Sequence, residues 1–286
     1  MNLRENFLNS KVHNFEESEI SWHGNPLFKL RNLSSSTEEL NKFSKLEILL
    51  GLTKEPLIFL NDLKLNETQI APDFLIFASR HTSKAARPGF LVHTTGNWGK
   101  NADFGGDPQD LSLTSALLHK AGFMSLIEKE FSTTLSEFSV DIEVTHHGPT
   151  VLKIPLIFME LGSSKTEWVI SEAGESVATA IISTIFNYLN YRISKNQEIA
   201  LGFGGTHYAP NFRRLIENND IAMSFICPKY YIKELDVDLI YKMVENTIEP
   251  VDYFIIDWKG TNSEEKKHLL PLLEEFEIPI KKTKDF

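Results

Sequence analysis

Short runs of Ile, Leu, Val and Phe recur along this chain, separated by stretches with helical spacing, and that alternation restricts the fold more than any other feature. The runs are Leu46–Leu50, Leu57–Leu60, Phe74–Ala78, Phe90–Val92, Leu156–Met159, Ile199–Phe203, Ala222–Ile226 and Tyr253–Ile256. Runs this short, bounded by polar or turn residues, suit strands of a sheet covered on both faces. Helical periodicity falls at Leu111–Phe131, Trp168–Tyr188, Val237–Val244 and Glu264–Phe276, the last interrupted by Pro271. Strands alternating with helices predict an α/β protein with a mixed, largely parallel sheet flanked by helices. Ser139–Thr145 differs, because Val140, Ile142 and Val144 alternate with Asp141, Glu143 and Thr145; it reads as a half-exposed strand with one polar face. Ser34-Ser35-Ser36-Thr37 reads as a loop, and no repeat or low-complexity linker divides the 286 residues, so one domain over 1–286 is expected.

A single cysteine, Cys227, rules out an intramolecular disulfide and suits a reducing cytosol. No apolar run reaches membrane-spanning length, and Met1–Ser10 carries charges where a secretory signal would be apolar, so a cytoplasmic protein is expected. The net charge of −10 argues against a general RNA coat, whose affinity comes from phosphate contacts, while leaving room for an enzyme with a local basic patch.

Five of the nine histidines sit at or just past the carboxyl ends of expected strands: His81, His93, His146, His147 and His207. In an open α/β sheet those ends line one ligand-binding edge. A lone histidine at a strand end is more often a hydrogen-bonded surface residue. Adjacent His146 and His147 are harder to dismiss, although they face one site only if the strand ends before them, as Gly148-Pro149 suggests. His13, His23, His119 and His268 lack such context and are read as surface or core. The cluster suits zinc, which takes neutral imidazole and carboxylate ligands; without a metal, a histidine could serve as general base on water. No HExxH motif or cysteine pair supports a metal from spacing alone.

The turns Phe104-Gly105-Gly106-Asp107 and Gly202-Phe203-Gly204-Gly205-Thr206 could offer backbone N–H groups to a phosphate or an oxyanion, or be sharp turns only. Neither is a P-loop. Arg80, Lys84, Arg87 and Lys100 lie near His81 and His93, and Arg213 and Arg214 follow His207; they are candidates for RNA contact, as is Asn97 for the substrate. Glu172 and Glu175 suit a helix start by charge alone.

Taken in order, four blocks resemble the archaeal and plant type of D-aminoacyl-tRNA deacylase. They are Ala78-Ser79-Arg80-His81-Thr82-Ser83-Lys84 with Val92-His93, Gly96-Asn97 and Ala102-Asp103-Phe104-Gly105-Gly106; Glu143-Val144-Thr145-His146-His147-Gly148-Pro149-Thr150; Glu160-Leu161-Gly162-Ser163-Ser164 with Glu167-Trp168 and Glu172-Ala173; and Gly202 to Pro210. The resemblance implies hydrolysis of the ester joining a D-amino acid, N-modified or not, to the 3′ end of tRNA. It also implies a zinc requirement, action as a monomer, and a fold similar to peptidyl-tRNA hydrolase and nucleoside phosphorylase. The resemblance carries no ligand assignment; from their placement at strand ends, His146, His147 and His207 are expected to be catalytic, and His81, His93, His146, His147 and His207 to hold zinc. Arg80, Lys84, Asn97, Gly105, Gly106, Gly204, Gly205 and Thr206 bind the acceptor end of D-aminoacyl-tRNA. Members of the family open with a strand, whereas Met1–Leu8 reads as a helix already, so the leading strand is expected to be missing. The alternatives are a nucleoside phosphorylase or peptidyl-tRNA hydrolase-like enzyme, and a non-catalytic RNA-binding protein.

Overall fold

The computed structural model describes residues 3–10, 13–32, 46–84, 86–129 and 133–286. The expected Ser34–Thr37 loop and the Phe131 end of the first long helix lie outside them.

A short helix α1 (Leu3–Leu8) leads into strands β1 (Asn14–Trp22), β2 (Asn25–Asn32) and β3 (Leu49–Leu50), which form an antiparallel sheet in that order. The β1–β2 turn is two residues long, His23 and Gly24, both with positive φ, as the twist of a tight hairpin requires. Strands β4 (Leu75–Arg80), β5 (Gly89–His93), β8 (Ser139–Ile142) and β9 (Leu156–Gly162) make a second sheet, ordered β4-β9-β5-β8. Here β4 runs parallel to β9 and β5 parallel to β8, but β5 and β9 are antiparallel. A third sheet, ordered β11-β10-β12-β13, is wholly parallel and holds β10 (Glu198–Phe203), β11 (Ile221–Cys227), β12 (Tyr253–Ile256) and β13 (Ile280–Lys282). The two-residue strands β6 (Gly96–Asn97) and β7 (Asp110–Leu111) pair with each other. The mixed α/β architecture is thus as expected, with its strands divided among several sheets.

Helices α2 (Ala116–Ile127), α3 (Lys165–Trp168), α4 (Ser171–Ser194), α5 (Pro210–Asn218), α6 (Val237–Glu245) and α7 (Ser263–Leu273) complete the fold. Helix α2 is buried on almost every side, including His119 and Lys120. An all-round buried helix belongs in a core, and α2 lies between α4 and β11. Its first turn is closed by Ser115, whose side chain accepts from Leu118 N, and by Glu249, which accepts from the Ala116 and Ser115 donors.

Three expected strands are corrected. Leu57–Phe59 is a 3-10 turn after Pro56, and Leu60 inserts into a pocket of Phe77, Phe158, Leu152 and Leu156. The strand after Ser139 stops at Ile142, and its polar face is not exposed: Asp141, Glu143 and Thr145 are all buried. Of the Leu46–Leu50 run only Leu49–Leu50 is strand.

Candidate active site

Beyond Ile142 the chain leaves the second sheet and joins the third. Val144 N donates to the carbonyl of His207 (2.9 Å) and Thr145 N to that of Ile226 (3.1 Å). His146 and His147 therefore stand on a bridge between two sheets. His147 has φ 44°, a left-handed backbone that ordinary side chains avoid. That reversal, with the strand already ended, lets both adjacent rings meet His93: the centroids lie 4.2 Å (His146) and 4.8 Å (His147) from the His93 ring. His207 stands 5.0 Å from His146.

Strand alternation supplies the rest. Phe158 and Glu160 point to one face of β9, and register sets them opposite His93 and Leu91 on β5. The His93 ring stacks on Phe158 at 5.2 Å. His81 follows the end of β4, which runs opposite to β5, so its strand end lies at the other edge from that of His93. The shared-edge argument fails for His81, which joins the cluster over the face of the sheet instead. Its Nδ1 is 3.2 Å from Glu160 Oε2 and 3.4 Å from Glu143 Oε2. Gly162 makes room for it, because a Cβ there would lie 2.7 Å from that of His81. On the other side Glu143 Oε1 accepts from His207 Nε2 at 2.7 Å. All five histidines thus converge, with two buried glutamates between them.

Glu143 and Glu160 were not among the residues expected at the site. By its alternation Glu143 reads as the exposed side of a strand, and Glu160 comes directly after the apolar run Leu156–Met159. A buried glutamate is rarely tolerated unless paired, so a carboxylate between the apolar run Leu156–Met159 and Leu161 is the available signal.

The tautomers are fixed by backbone carbonyls, which can only accept. His93 Nδ1 faces Thr94 O (3.1 Å), His146 Nδ1 faces Val144 O (2.7 Å) and His147 Nδ1 faces Gly148 O (2.7 Å). Each must donate from Nδ1, leaving an Nε2 lone pair. The buried Nε2 atoms of His81 and His93 and Oε2 of Glu143 have no hydrogen-bond partner among the described residues. Burial, and then the neighbouring imidazoles, hold His146 well below its ordinary pKa; burial and His93 bring His147 to about 4. Burial opposes protonation of His93 and His81, but the carboxylates outweigh it and raise both. Glu160 is likewise held well below the usual range by His81 and His93 against its own burial. His146 and His147, kept neutral by burial with inward lone pairs and set near anionic Glu160, are the donor types that suit a divalent metal. Three groups bring their ligand atoms within 4.8 Å of one another: His93, His146 and His147; Glu143, His146 and His207; His81, Glu143 and Glu160.

The other expected residues fall around this centre. Gly105 and Gly106 have positive φ and press against Gly148, beside His147. Asn97 Nδ2 donates to Gly105 O (2.8 Å) and Asp107 O (3.1 Å), stitching that loop in place. Gly204 and Gly205 have positive φ, and Thr206 is exposed. The Gly105 and Gly204 N–H groups are spent on Ala102 O and Cys227 O, so these two are not oxyanion donors. Arg80 and Lys84 are exposed; the Arg80 guanidinium lies over Trp168 at 4.9 Å. His119 and His268 bond to backbone carbonyls away from the cluster. Among the described residues no helix is long and apolar enough to cross a membrane.

A family model described as D-aminoacyl-tRNA deacylase matches residues 68–281, which span every cluster residue. Proteins named D-aminoacyl-tRNA deacylase match it from Thermococcus kodakarensis (34% identical over 280 residues, 96% of this chain and 92% of the relative) and Methanocaldococcus jannaschii (37% over 209 residues, 71% and 79%). A crystal structure of a conserved protein of unknown function superposes with a TM-score of 0.79 at 32% identity, covering 99% of this chain and 90% of the other. The chain is a member of the D-aminoacyl-tRNA deacylase family. The phosphorylase and peptidyl-tRNA hydrolase alternatives gain no support.

Proposed function

We propose that this chain hydrolyses the ester bond of D-aminoacyl-tRNA, including N-modified forms, to free D-amino acid and tRNA. The observation that carries the reading is the convergence of His81, His93, His146, His147 and His207 with Glu143 and Glu160, inside the segment that matches the family. The metal this centre would take is zinc, and His93, His146 and His147 would hold it. Zinc, when bound, supplies Lewis-acid activation of water and of the ester carbonyl.

The chain's own groups do the remainder. Glu160 fixes His81 and offsets the charge gathered beside it. His207, half-exposed at the mouth, donates Nε2–H to buried Glu143, which leaves Nδ1 to accept a proton from water and return it to the departing ribose oxygen. Phe158 covers the inner side of His93 and His147, keeping bulk water from that face. Arg80 and Lys84 lie at the end of β4 and just beyond it, where the acceptor stem would approach. The enzyme acts as a monomer in the cytoplasm, where aminoacyl-tRNA is made and used.

The test is deacylation of D-tyrosyl-tRNA against L-tyrosyl-tRNA, after chelation and again with zinc restored. Selective, zinc-restored loss of the D-aminoacyl group is expected. Equal cleavage of both enantiomers, or release of ribose-1-phosphate from nucleosides, would overturn it.

A further inference from the structure

Exposed aromatic rings gather at the mouth of the histidine cluster. Tyr230 is 54% exposed, yet its hydroxyl lies 3.4 Å from Nδ1 of His207. Tyr231 packs beside it, ring centroids 5.2 Å apart, and its other edge rests on Gly99, whose added Cβ would sit 3.3 Å from the ring. The 3-10 turn carrying both begins at Lys229, whose N–H donates to Gly205 O, so it is pinned to the glycine turn that precedes His207. Lys229 and Lys100 are exposed and have no ion-pair partner among the described residues.

Solvent-facing aromatics flanked by free cations are the elements from which proteins build seats for single-stranded nucleic acid. The substrate's geometry says which nucleotide arrives here. The aminoacyl ester is on the ribose of the 3′-terminal adenosine, so that base lies within one sugar of the reacting carbonyl. A ring in contact with His207 is within its reach.

Resting on the deacylase reading, we propose that Tyr230, backed by Tyr231, is the platform on which the terminal adenine of aminoacyl-tRNA stacks, with Lys229 and Lys100 meeting the phosphate on its 5′ side. Tyr230 is then a positioning residue whose ring sets affinity and whose hydroxyl is dispensable for it.

Binding of the trinucleotide cytidyl-cytidyl-adenosine to the whole protein, by calorimetry, tests this without turnover. Tyr230→Ala is expected to weaken binding about tenfold, in line with the loss of one base–aromatic stack. Tyr230→Phe keeps the ring and is expected to bind as the parent does. Deacylation should follow the same order, with KM raised in Tyr230→Ala and kcat nearly kept. Thermal unfolding of both variants checks that the surface truncation leaves the fold intact. Equal binding by parent and Tyr230→Ala, no binding by the parent, or loss in Tyr230→Phe as large as in Tyr230→Ala would overturn the proposal. So would loss of binding on truncating the 70% exposed ring beside Gly105, Phe104→Ala, with none in Tyr230→Ala. Trinucleotide binding with no cleavage of D-aminoacyl-tRNA would instead sink the function and leave the seat standing.

Discussion

His147 holds a left-handed backbone that costs a non-glycine residue roughly 1–2 kcal/mol, and it does so beside a ring buried against His93 and Phe158. Strain of this kind persists where surrounding structure fixes it and the position has a use. His147→Ala should therefore remove most deacylation while leaving a single cooperative unfolding transition; an active variant would take His147 out of the chemistry. The same scale explains what the residue types disclosed. The five histidines stand out because each lies at or just past the end of an expected strand, three after apolar runs and His146 and His147 after the alternating Ser139–Thr145 segment. Glu143 and Glu160 were hidden because a glutamate at an alternating position looks solvent-facing, and one just past an apolar run looks like the polar boundary of a strand. Burial and pairing, which single them out, are properties of three dimensions.

Helix α2 shows how an element can depend on one proton. His119 is fully buried, donates from Nδ1 to Met223 O of β11 at 2.8 Å, and its pKa is lowered by that burial to about 4. Between about 4 and the ordinary value of 6.5 the unfolded chain binds the proton and the folded chain does not. Stability therefore rises with pH across this window and is lost as pH falls through it, by about 3 kcal/mol in all. Urea unfolding at a series of pH values should show a shallower acid loss in His119→Gln; parallel curves would end the argument. The loop of Gly105 gives a second case. A Cβ there would lie 1.8 Å from Ile58 O, at φ 85°, whereas Gly24 has φ 72° and nothing within 4 Å. Gly105→Ala should cost at least about 2 kcal/mol more than Gly24→Ala, which carries only the backbone term of about 1 kcal/mol. Equal denaturation midpoints would show that the loop yields freely. At this scale the strands built on apolar runs, β5, β9, β10, β11 and β12, were legible. The β1–β2 hairpin was not, since NFEESEISW mixes charge with apolar residues and its partly exposed faces leave no apolar run. Leu57–Leu60 misled because a buried turn needs the same composition as a buried strand.

For the whole molecule, the site's position matters more than any one ligand. His93 and Glu160 belong to the β4-β9-β5-β8 sheet, His207 follows β10 of the parallel sheet, and His146 and His147 lie on the segment hydrogen-bonded to both. The reversed direction of β4 relative to β5 is a fact of pairing that no local pattern carries, which is why His81 was placed at the right site for the wrong reason. A metal held there would tie two sheets together, and if it favours the folded state it stabilises that state by mass action, on the order of 4 kcal/mol at a thousandfold excess over Kd. Zinc added to chelator-treated protein should raise Tm, and His93→Ala and His146→Ala should abolish the rise, independently of any assay of turnover. Because His93 sits on one sheet and His146 on the bridge, losing either removes a ligand and the cross-link together. If both variants keep the full shift, the metal is not in the three-imidazole group, and the carboxylate group of His81, Glu143 and Glu160 takes its place.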